Sequence, residues 1–212
     1  NYKNDLNDNQ YNAVTIEAQH VRVIAGAGSG KTRVLTYRIS FLISELQVEP
    51  WKILAITFTN KVANEMKNRV LKMIPEASKD LSIKTFHSFA AYFLRHEISI
   101  LGFPTSFTIL DEEDQTKLVK DIATEMGFKR GDKIVGLTLN YIGKQKLLEK
   151  YPDDINIVKP AFEDEKTCLE IYNRYEEEKY KNYALDFDDL LLLTNRILES
   201  YPDIRNKWQN RI

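Results

Sequence analysis

A glycine-rich stretch, AGAGSGKT at residues 25–32, limits the possible folds of this chain more than any other feature. It follows the apolar run VRVIA at 21–25 and precedes the amphipathic pattern of residues 31–45. Glycines allow the sharp turn, and the helix that follows points its first amide hydrogens back at that turn. A strand, a glycine-rich turn and a helix in this order form the Walker A arrangement, which wraps phosphate oxygens.

The residue types of this loop suit a bound nucleotide. Lys31 would neutralise β- and γ-phosphate charge and Thr32 would hold Mg²⁺, so these are the candidate catalytic residues. The strict motif has glycine where this chain has Ala25, but that position needs only a small side chain. The predicted nucleotide-binding residues of the loop are Ala25, Gly26, Ala27, Gly28, Ser29, Gly30, Lys31 and Thr32. The alternative is a glycine-rich turn with a lysine at a helix start.

Hydrophobic periodicity divides the chain into two kinds of structure. Strands are predicted at 21–25, 53–58 and 83–86, and helices at 31–45, 60–74 and 87–100. This βαβαβα order predicts a parallel sheet with helices on both faces. From about residue 107 the pattern predicts helices without strands, at 111–126, 133–149 and 161–182, and a further helix begins at Asp186.

The fold class predicted from this order is α/β, a P-loop NTPase parallel sheet with an inserted all-helical subdomain. We assign residues 1–107 and 184–212 to the nucleotide-binding core and residues 108–183 to the helical subdomain. The joints are polar and carry Pro or Gly, as domain boundaries commonly do.

Composition excludes several classes of protein. Thirty basic and 31 acidic residues give a net charge of −1, so a nucleic-acid surface would need local segregation of charge. Cys168 is the single cysteine, which excludes a disulfide framework and a CxxC metal cluster. Apolar runs such as ILAI and LLLL are too short for a bilayer, and the N-terminus is polar. We therefore expect a soluble, cytoplasmic protein with no membrane partner.

Aromatic, polar and basic side chains follow the second and third predicted strands, where ligands bind in open α/β sheets. They are Phe58, Asn60, Lys61, Phe86 and His87. The two phenylalanines could stack on bases, the amide and imidazole could hydrogen-bond to a nucleic acid, and the lysine could meet phosphate. Two alternatives stay open: Thr59 or Asn60 is a good helix N-cap, and Phe86 could be a core residue.

Two acidic stretches allow two interpretations each. FTILDEED resembles a Walker B strand with Asp111 as its Mg²⁺ ligand, and Asp186, Asp188 and Asp189 could be a metal cluster. In both stretches an aspartate recurs three residues on, which is the pattern of an N-cap and the third helical position. Structural capping is the favoured interpretation of both.

Six segments, taken together, carry a family resemblance. They are LNDNQYNAV, AGAGSGKTRVLTYRI, ILAITFTNKVANEM, IKTFHSF, FTILDEEDQ and LDFDDL. In this order they closely resemble the N-terminal region of the UvrD/Rep/PcrA family of superfamily 1 DNA helicases, from about residue 6 to the end. The resemblance implies a RecA-like motor half with a helical subdomain inserted in it, ATP and Mg²⁺ as cofactors, and single-stranded DNA tracked in the 3′ to 5′ direction.

The resemblance also implies roles for particular residues. Gln10 would read the adenine and Arg33 would lie beside the base, while Phe58, Asn60 and His87 fall where family members touch single-stranded DNA. The chemistry of Gln10 agrees, because an amide offers the donor and acceptor that the N6/N7 edge of adenine requires. Implied partners are single-stranded DNA, junctions of single- and double-stranded DNA, the remaining helicase domains of the same polypeptide, and repair or replication proteins.

The expected function is therefore the N-terminal part of an ATP-dependent 3′–5′ DNA helicase or translocase. In the family a DExxQ Walker B follows a segment like YPDIRNKWQNRI, so we expect it beyond Ile212, together with the second RecA-like half. The chain alone would then be inactive. The alternatives are a self-sufficient P-loop NTPase module, with Asp111 in its Walker B, and a non-catalytic DNA-binding domain.

Overall fold

The computed structural model describes residues 2–212, without the side chains of residues 78 and 79; residue 1 of the predicted core lies outside the described residues. The α-helices are α1 (Tyr2–Asp5), α2 (Asp8–Thr15), α3 (Lys31–Ser44), α4 (Asn60–Met73), α5 (Phe86–Glu97), α6 (Glu112–Glu125), α7 (Ile134–Leu147), α8 (Glu165–Lys181), α9 (Phe187–Ser200) and α10 (Pro202–Arg211). The strands are β1 (Leu54–Thr57), β2 (Ser82–Thr85), β3 (Thr108–Leu110) and β4 (Ala184–Asp186). The fold is mixed α/β, mostly helical with small parallel sheets.

The chain divides into two compact units. One runs to Phe89 and takes in Lys207–Ile212, and the other is Ala90–Asn206. The predicted subdomain limits at 108 and 183 stay a prediction. Across residues 2–212 no helix combines the length and apolar character needed to cross a bilayer.

In the first unit, β1 and β2 pair in parallel with Thr57 opposite Thr85, which confirms two of the three strands predicted here. Helices α3 and α4 pack together beside this pair. Their shared buried cluster consists of Ile39, Ala63, Met66, Val70, Leu81 and Ile83. Helix α4 begins as its sequence predicts, because the Thr59 hydroxyl accepts a hydrogen bond from the Val62 amide at 3.2 Å.

The strand predicted at 21–25 is wrong for the described chain, because these residues have no regular secondary structure. Val23 is 50% exposed and Ile24 is 87% exposed. Alternating β-branched residues favour a strand only where a neighbour accepts the backbone hydrogen bonds. Within residues 2–212 the strands pair only as β1 with β2 and as β3 with β4, so this segment has no such neighbour.

The second unit is built on helices α6, α7 and α8. Their buried cluster consists of Val119, Ile122, Ala123, Ile134, Tyr141, Ile142, Cys168, Ile171, Tyr172 and Tyr175. The expectation of helices without strands is wrong here, because β3 and β4 pair in parallel with Leu110 opposite Asp186. Each strand has only three residues. In so short a segment the alternation of apolar and polar residues cannot distinguish a strand from a loop that leads into a helix.

Both acidic stretches are helix caps, as predicted. The Asp111 carboxylate accepts a hydrogen bond from the Asp114 amide at 2.8 Å, and Asp114 accepts one in return from the Asp111 amide at 3.3 Å. Asp186 and Asp189 exchange the same pair of bonds, both at 2.9 Å. Each capping box satisfies two amides that a helix start leaves unpaired.

The second capping box also belongs to a buried ionic network that the sequence analysis did not predict. Lys146 on α7 lies 2.5 Å from Asp186 and 2.9 Å from Asp189, and Lys179 on α8 lies 2.6 Å from Asp189. Glu176 contacts both ammonium groups, at 2.7 Å and 2.8 Å. The network therefore joins α7, α8 and the start of α9.

Neighbouring opposite charges keep the buried lysine and aspartate side chains in their ionised states. Burial alone would lower the pKa of Lys146, but the carboxylates of Asp189, Asp186 and Glu176 outweigh it and raise that pKa. Burial would raise the pKa of Asp189, but Lys179 and Lys146 lower it. Each charge is stabilised by the opposite charges beside it.

We expect Lys146→Met to lower the free energy of unfolding by about 3–5 kcal/mol, because it leaves buried carboxylates uncompensated. Lys144→Met is the matched control, since Lys144 is exposed on the same helix, and it should change stability by less than about 0.5 kcal/mol. Urea unfolding followed by circular dichroism measures both. Equal losses in the two variants would show that the network contributes no specific stability.

Candidate functional site

The glycine-rich loop folds back on itself before helix α3. Gly28 and Gly30 have φ angles of 73° and 82°, a region that favours glycine over other residues. The Ser29 hydroxyl donates to the Gly26 carbonyl at 2.6 Å, and the Lys31 ammonium donates to the Ala25 carbonyl at 3.1 Å. The Lys31 side chain therefore reaches back to Ala25, the first residue of the loop.

Helix α3 begins with its amides directed at this loop. Gly30 is the N-cap, and a glycine offers no side-chain acceptor to the first amide hydrogens. The positive end of the helix dipole adds to the ammonium charge of Lys31, so this end of α3 favours an anion. Thr32, in the first turn, offers a hydroxyl oxygen, which fits the preference of Mg²⁺ for oxygen ligands shared with phosphate.

Gln10 connects the N-terminal segment to the loop. Its Nε2 donates to the Ser29 carbonyl at 3.2 Å, and its Oε1 accepts from the Asn7 amide at 3.1 Å. Asn7 accepts in return from the Gln10 amide at 2.9 Å, which completes a capping box at the start of α2. One amide hydrogen and one acceptor lone pair of the Gln10 side chain are left by these two contacts.

Apolar packing and one arginine, Arg38, hold helix α2 against α3. Leu6 and Val14 form a buried cluster with Val34. Arg38 donates to the carbonyls of Val14 and Ile16, at 2.7 Å and 2.6 Å, where the end of α2 leaves them without helical partners.

Arg33 of α3 contacts the last residue of α1 instead. Its guanidinium donates to the Asp5 carbonyl at 2.8 Å and lies 5.4 Å from the centre of the Tyr37 ring. Gln10 and Arg33 both lie next to Gly30, where an added Cβ would be 3.0 Å from the Gln10 Nε2 and 3.9 Å from the Arg33 Cβ.

Two aromatic rings meet where β1 and β2 end. Because Thr57 pairs with Thr85, the next residues, Phe58 and Phe86, stand side by side, with ring centres 5.6 Å apart. Phe58 is 90% exposed and Phe86 is 45% exposed, so the core alternative for Phe86 is wrong.

The other predicted nucleic-acid residues begin the two helices that follow these strands. Asn60 and Lys61 open α4, His87 is the second residue of α5, and all three are exposed. The N-terminal ends of both helices favour negative charge. The structure thus gathers the five predicted residues at one edge of the β1–β2 pair.

Helix α2 and its contacts were not predicted from the sequence. Asn7 three residues before Gln10 has the spacing of a capping box, a signal that was available in the sequence. The positions of Arg38 and Arg33 on backbone carbonyls depend on the packing of two helices, and no local pattern indicates them. Asp111 caps α6 in the second unit.

The sequence is similar to a helicase family model and to proteins named as helicases. A family model described as the UvrD/REP helicase N-terminal domain matches residues 6–212. The chain is similar to proteins named ATP-dependent DNA helicase PcrA, 38% identical over 208 residues in Bacillus subtilis and 36% identical over 210 residues in Leuconostoc citreum. These alignments cover 97% and 98% of the chain, which spans 28% of the length of each relative.

We expect Gly30→Ala to cost about 1–2 kcal/mol, because a left-handed conformation strains any residue with a Cβ. The added Cβ would also lie 3.0 Å from the Gln10 Nε2 and displace that contact. Gly26→Ala is the matched control, since a Cβ at Gly26 has open space, and it should be neutral or slightly stabilising. Thermal unfolding measures the difference; an equal effect of the two substitutions would contradict it.

Proposed function

The chain belongs to the UvrD/REP helicase N-terminal domain family, and we propose that it is the N-terminal part of an ATP-dependent 3′–5′ DNA helicase or translocase. In this proposal it binds ATP with Mg²⁺ at the glycine-rich loop and single-stranded DNA at the edge of β1 and β2. The contact of Gln10 with the Ser29 carbonyl carries the proposal, because it sets a base-reading amide beside a phosphate loop.

Phosphate binding would use the start of α3. The ammonium of Lys31 would exchange the Ala25 carbonyl for β- and γ-phosphate oxygens, which are stronger acceptors because they are charged. The Thr32 hydroxyl would be the protein ligand of Mg²⁺, whose charge offsets that of the phosphates. Gly28 and Gly30 let the backbone of the loop approach the phosphates closely.

Base recognition would use the part of the Gln10 amide that the protein leaves over. The second Nε2 hydrogen can donate to adenine N7, and the second Oε1 lone pair can accept from the adenine N6 amino group. Guanine presents its O6 acceptor where adenine has N6, so it would face another acceptor. Adenine is therefore preferred over guanine, and Arg33 would lie beside the base.

Single-stranded DNA would bind across Phe58 and Phe86. Every base offers a π-face, so stacking on two exposed rings is tolerant of sequence, as a translocating motor requires. Lys61 and the N-terminal ends of α4 and α5 would meet backbone phosphates, and Asn60 and His87 would hydrogen-bond to the strand.

One packed cluster links the two proposed sites. Helix α3 begins at the nucleotide loop, helix α4 begins next to Phe58, and Ile39 of α3 packs against Met66 and Val70 of α4. A shift of α3 on binding nucleotide would therefore displace α4, the helix that begins next to the proposed DNA site. Such a packed contact is a physical route for coupling ATP binding to DNA binding.

Hydrolysis and movement would belong to the whole protein. Phosphoryl transfer depends on positioned charges, and an arginine finger alone is worth about 10³–10⁵ in rate. The remaining helicase domains of the same polypeptide would supply these groups and the contacts to junctions of single- and double-stranded DNA. The self-sufficient NTPase alternative is weaker, because the Asp111 carboxylate is engaged as a helix cap.

We expect Lys31→Ala to weaken ATP binding by the 212-residue chain by about tenfold or more, because it removes a charged hydrogen bond to phosphate. Fluorescent ATP and GTP analogues, titrated in parallel, measure affinity and base preference. Lys61→Ala is the control, since it removes an exposed lysine from the first turn of another helix. Equal affinity of the two variants, or equal binding of the two nucleotides, would contradict the nucleotide site.

We expect Phe58→Ala and Phe86→Ala each to weaken binding of oligo-dT by about tenfold, since stacking contributes about 1–3 kcal/mol per base. Trp51→Ala is the control, because Trp51 is also an exposed aromatic residue, 44% accessible, but lies ahead of β1. Fluorescence anisotropy with labelled oligonucleotide measures each affinity. If Trp51→Ala weakens binding as much, the edge of the strand pair is not the DNA site.

A further inference from the structure

A cavity of about 310 Å³ lies within the second unit, and its lining includes no residue assigned above to nucleotide or DNA. Its walls come from residues 98–103, the end of α8, β4 and α9. Side chains such as Ile98, Leu185 and Leu193 make much of the lining apolar. A volume of this size suits a small organic molecule.

The floor of this cavity is charged. Lys179 and Asp189 line it, with only 3% and 1% of their side chains accessible, and Glu176 joins them with 18% accessible. In the buried network three carboxylates, those of Glu176, Asp186 and Asp189, face the two ammonium groups of Lys146 and Lys179. The net charge of these five groups is therefore −1, and Glu176 is the most accessible of the three carboxylates.

Aromatic rings also line the cavity. Phe103 and Tyr180 both line it, and their ring centres are 6.2 Å apart. Tyr180 is 69% exposed, so its ring is accessible to a ligand that enters from solvent. Tyr151 also lines the cavity, but Arg196 already lies 5.1 Å from its ring centre and Lys146 lies 5.7 Å from it.

We propose that this cavity binds an organic cation, an ammonium or amidinium group on a compact apolar body. The cationic group would meet the Glu176 carboxylate, and the apolar body would fill the space between Ile98 and Leu185. The faces of Phe103 and Tyr180 would add cation–π attraction. The proposal is independent of the nucleotide and DNA sites.

The same contacts disfavour other ligands. An anion would face a net negative floor in a partly desolvated space, where repulsion is strong. A metal ion on Glu176, Asp186 and Asp189, whose oxygens lie within 4.8 Å of one another, would have to approach the ammonium groups of Lys146 and Lys179. The Glu176 Oε1 lies against both ammonium groups, whereas its Oε2 accepts only from Lys179, at 2.8 Å. An organic cation would use the second lone pair of that Oε2 and keep both lysines in place.

Benzamidine is the probe, and benzamide is its neutral counterpart of nearly the same shape. Each is titrated into the 212-residue chain, and backbone amide shifts in the NMR spectrum are followed. We expect benzamidine to shift residues 98–103 and 176–185, and benzamide to bind about tenfold more weakly, as loss of one charged contact predicts. Equal binding of the two compounds, or shifts elsewhere only, would overturn the proposal.

Two substitutions test the contacts. Glu176→Gln should weaken benzamidine binding about tenfold, whereas Glu177→Gln, which removes the same charge from the exposed neighbouring position, should leave it unchanged within about twofold. Tyr180→Leu keeps the wall apolar and should weaken benzamidine but not benzamide. Equal effects of Glu176→Gln and Glu177→Gln would overturn the proposal, and the comparison of the two compounds on the unaltered chain stands even if Glu176→Gln does not fold.

N-acetyl-arginine amide distinguishes two sources of the cation. If it competes with benzamidine and binds more tightly, the occupant is an arginine side chain of a polypeptide. If benzamidine binds more tightly, the occupant is a free small molecule. Either result supports an organic-cation site, and failure of both to bind would overturn it.

Discussion

The first amide hydrogens of a helix need acceptors, and the way this chain supplies them organises the whole structure. Helices α6 and α9 receive them from Asp111 and Asp186, in capping boxes that leave these carboxylates engaged. Helix α3 follows Gly30 instead, which has no side chain to offer. In the capped helices, side chains of the protein accept hydrogen bonds from the first amides. In the helix that follows glycine, those amides can donate to a bound anion. The same backbone requirement therefore separates structural acids from a phosphate site.

Apolar clusters place the helices of both units, and the second unit adds an ionic network. In the first, apolar contacts among α2, α3 and α4 bring Gln10 onto the loop and connect α3 to the helix beside Phe58. In the second, a buried apolar cluster joins α6, α7 and α8, and a mixed network of lysines and carboxylates joins α7, α8 and α9. Removing one partner from such a network leaves a buried charge uncompensated, so the contacts that join these three helices depend on one another.

Local patterns predicted most helices and both acidic caps, because those features depend on neighbours a few residues away. Thr59, Asp111 and Asp186 begin helices where their spacing indicates. The prediction of a strand at 21–25 was wrong, and β3 and β4 were not predicted. Both errors have one cause, because a strand forms only where a partner distant in sequence pairs with it. The buried network was missed likewise, because Lys146 and Asp186 are 40 residues apart.

The sequence by itself determined the chemistry of this protein. The loop at 25–32, Gln10 and the residues after β1 and β2 are the groups that we propose for phosphate, adenine and bases, and six ordered segments identify the family. Only the tertiary structure decided where those groups meet. Parallel register sets Phe58 beside Phe86, helix packing puts Gln10 on the Ser29 carbonyl, and burial turns Asp186 and Asp189 into partners of two lysines. Each position of the sequence specifies a chemical group, whereas the proximity and burial of these groups depend on the whole folded chain.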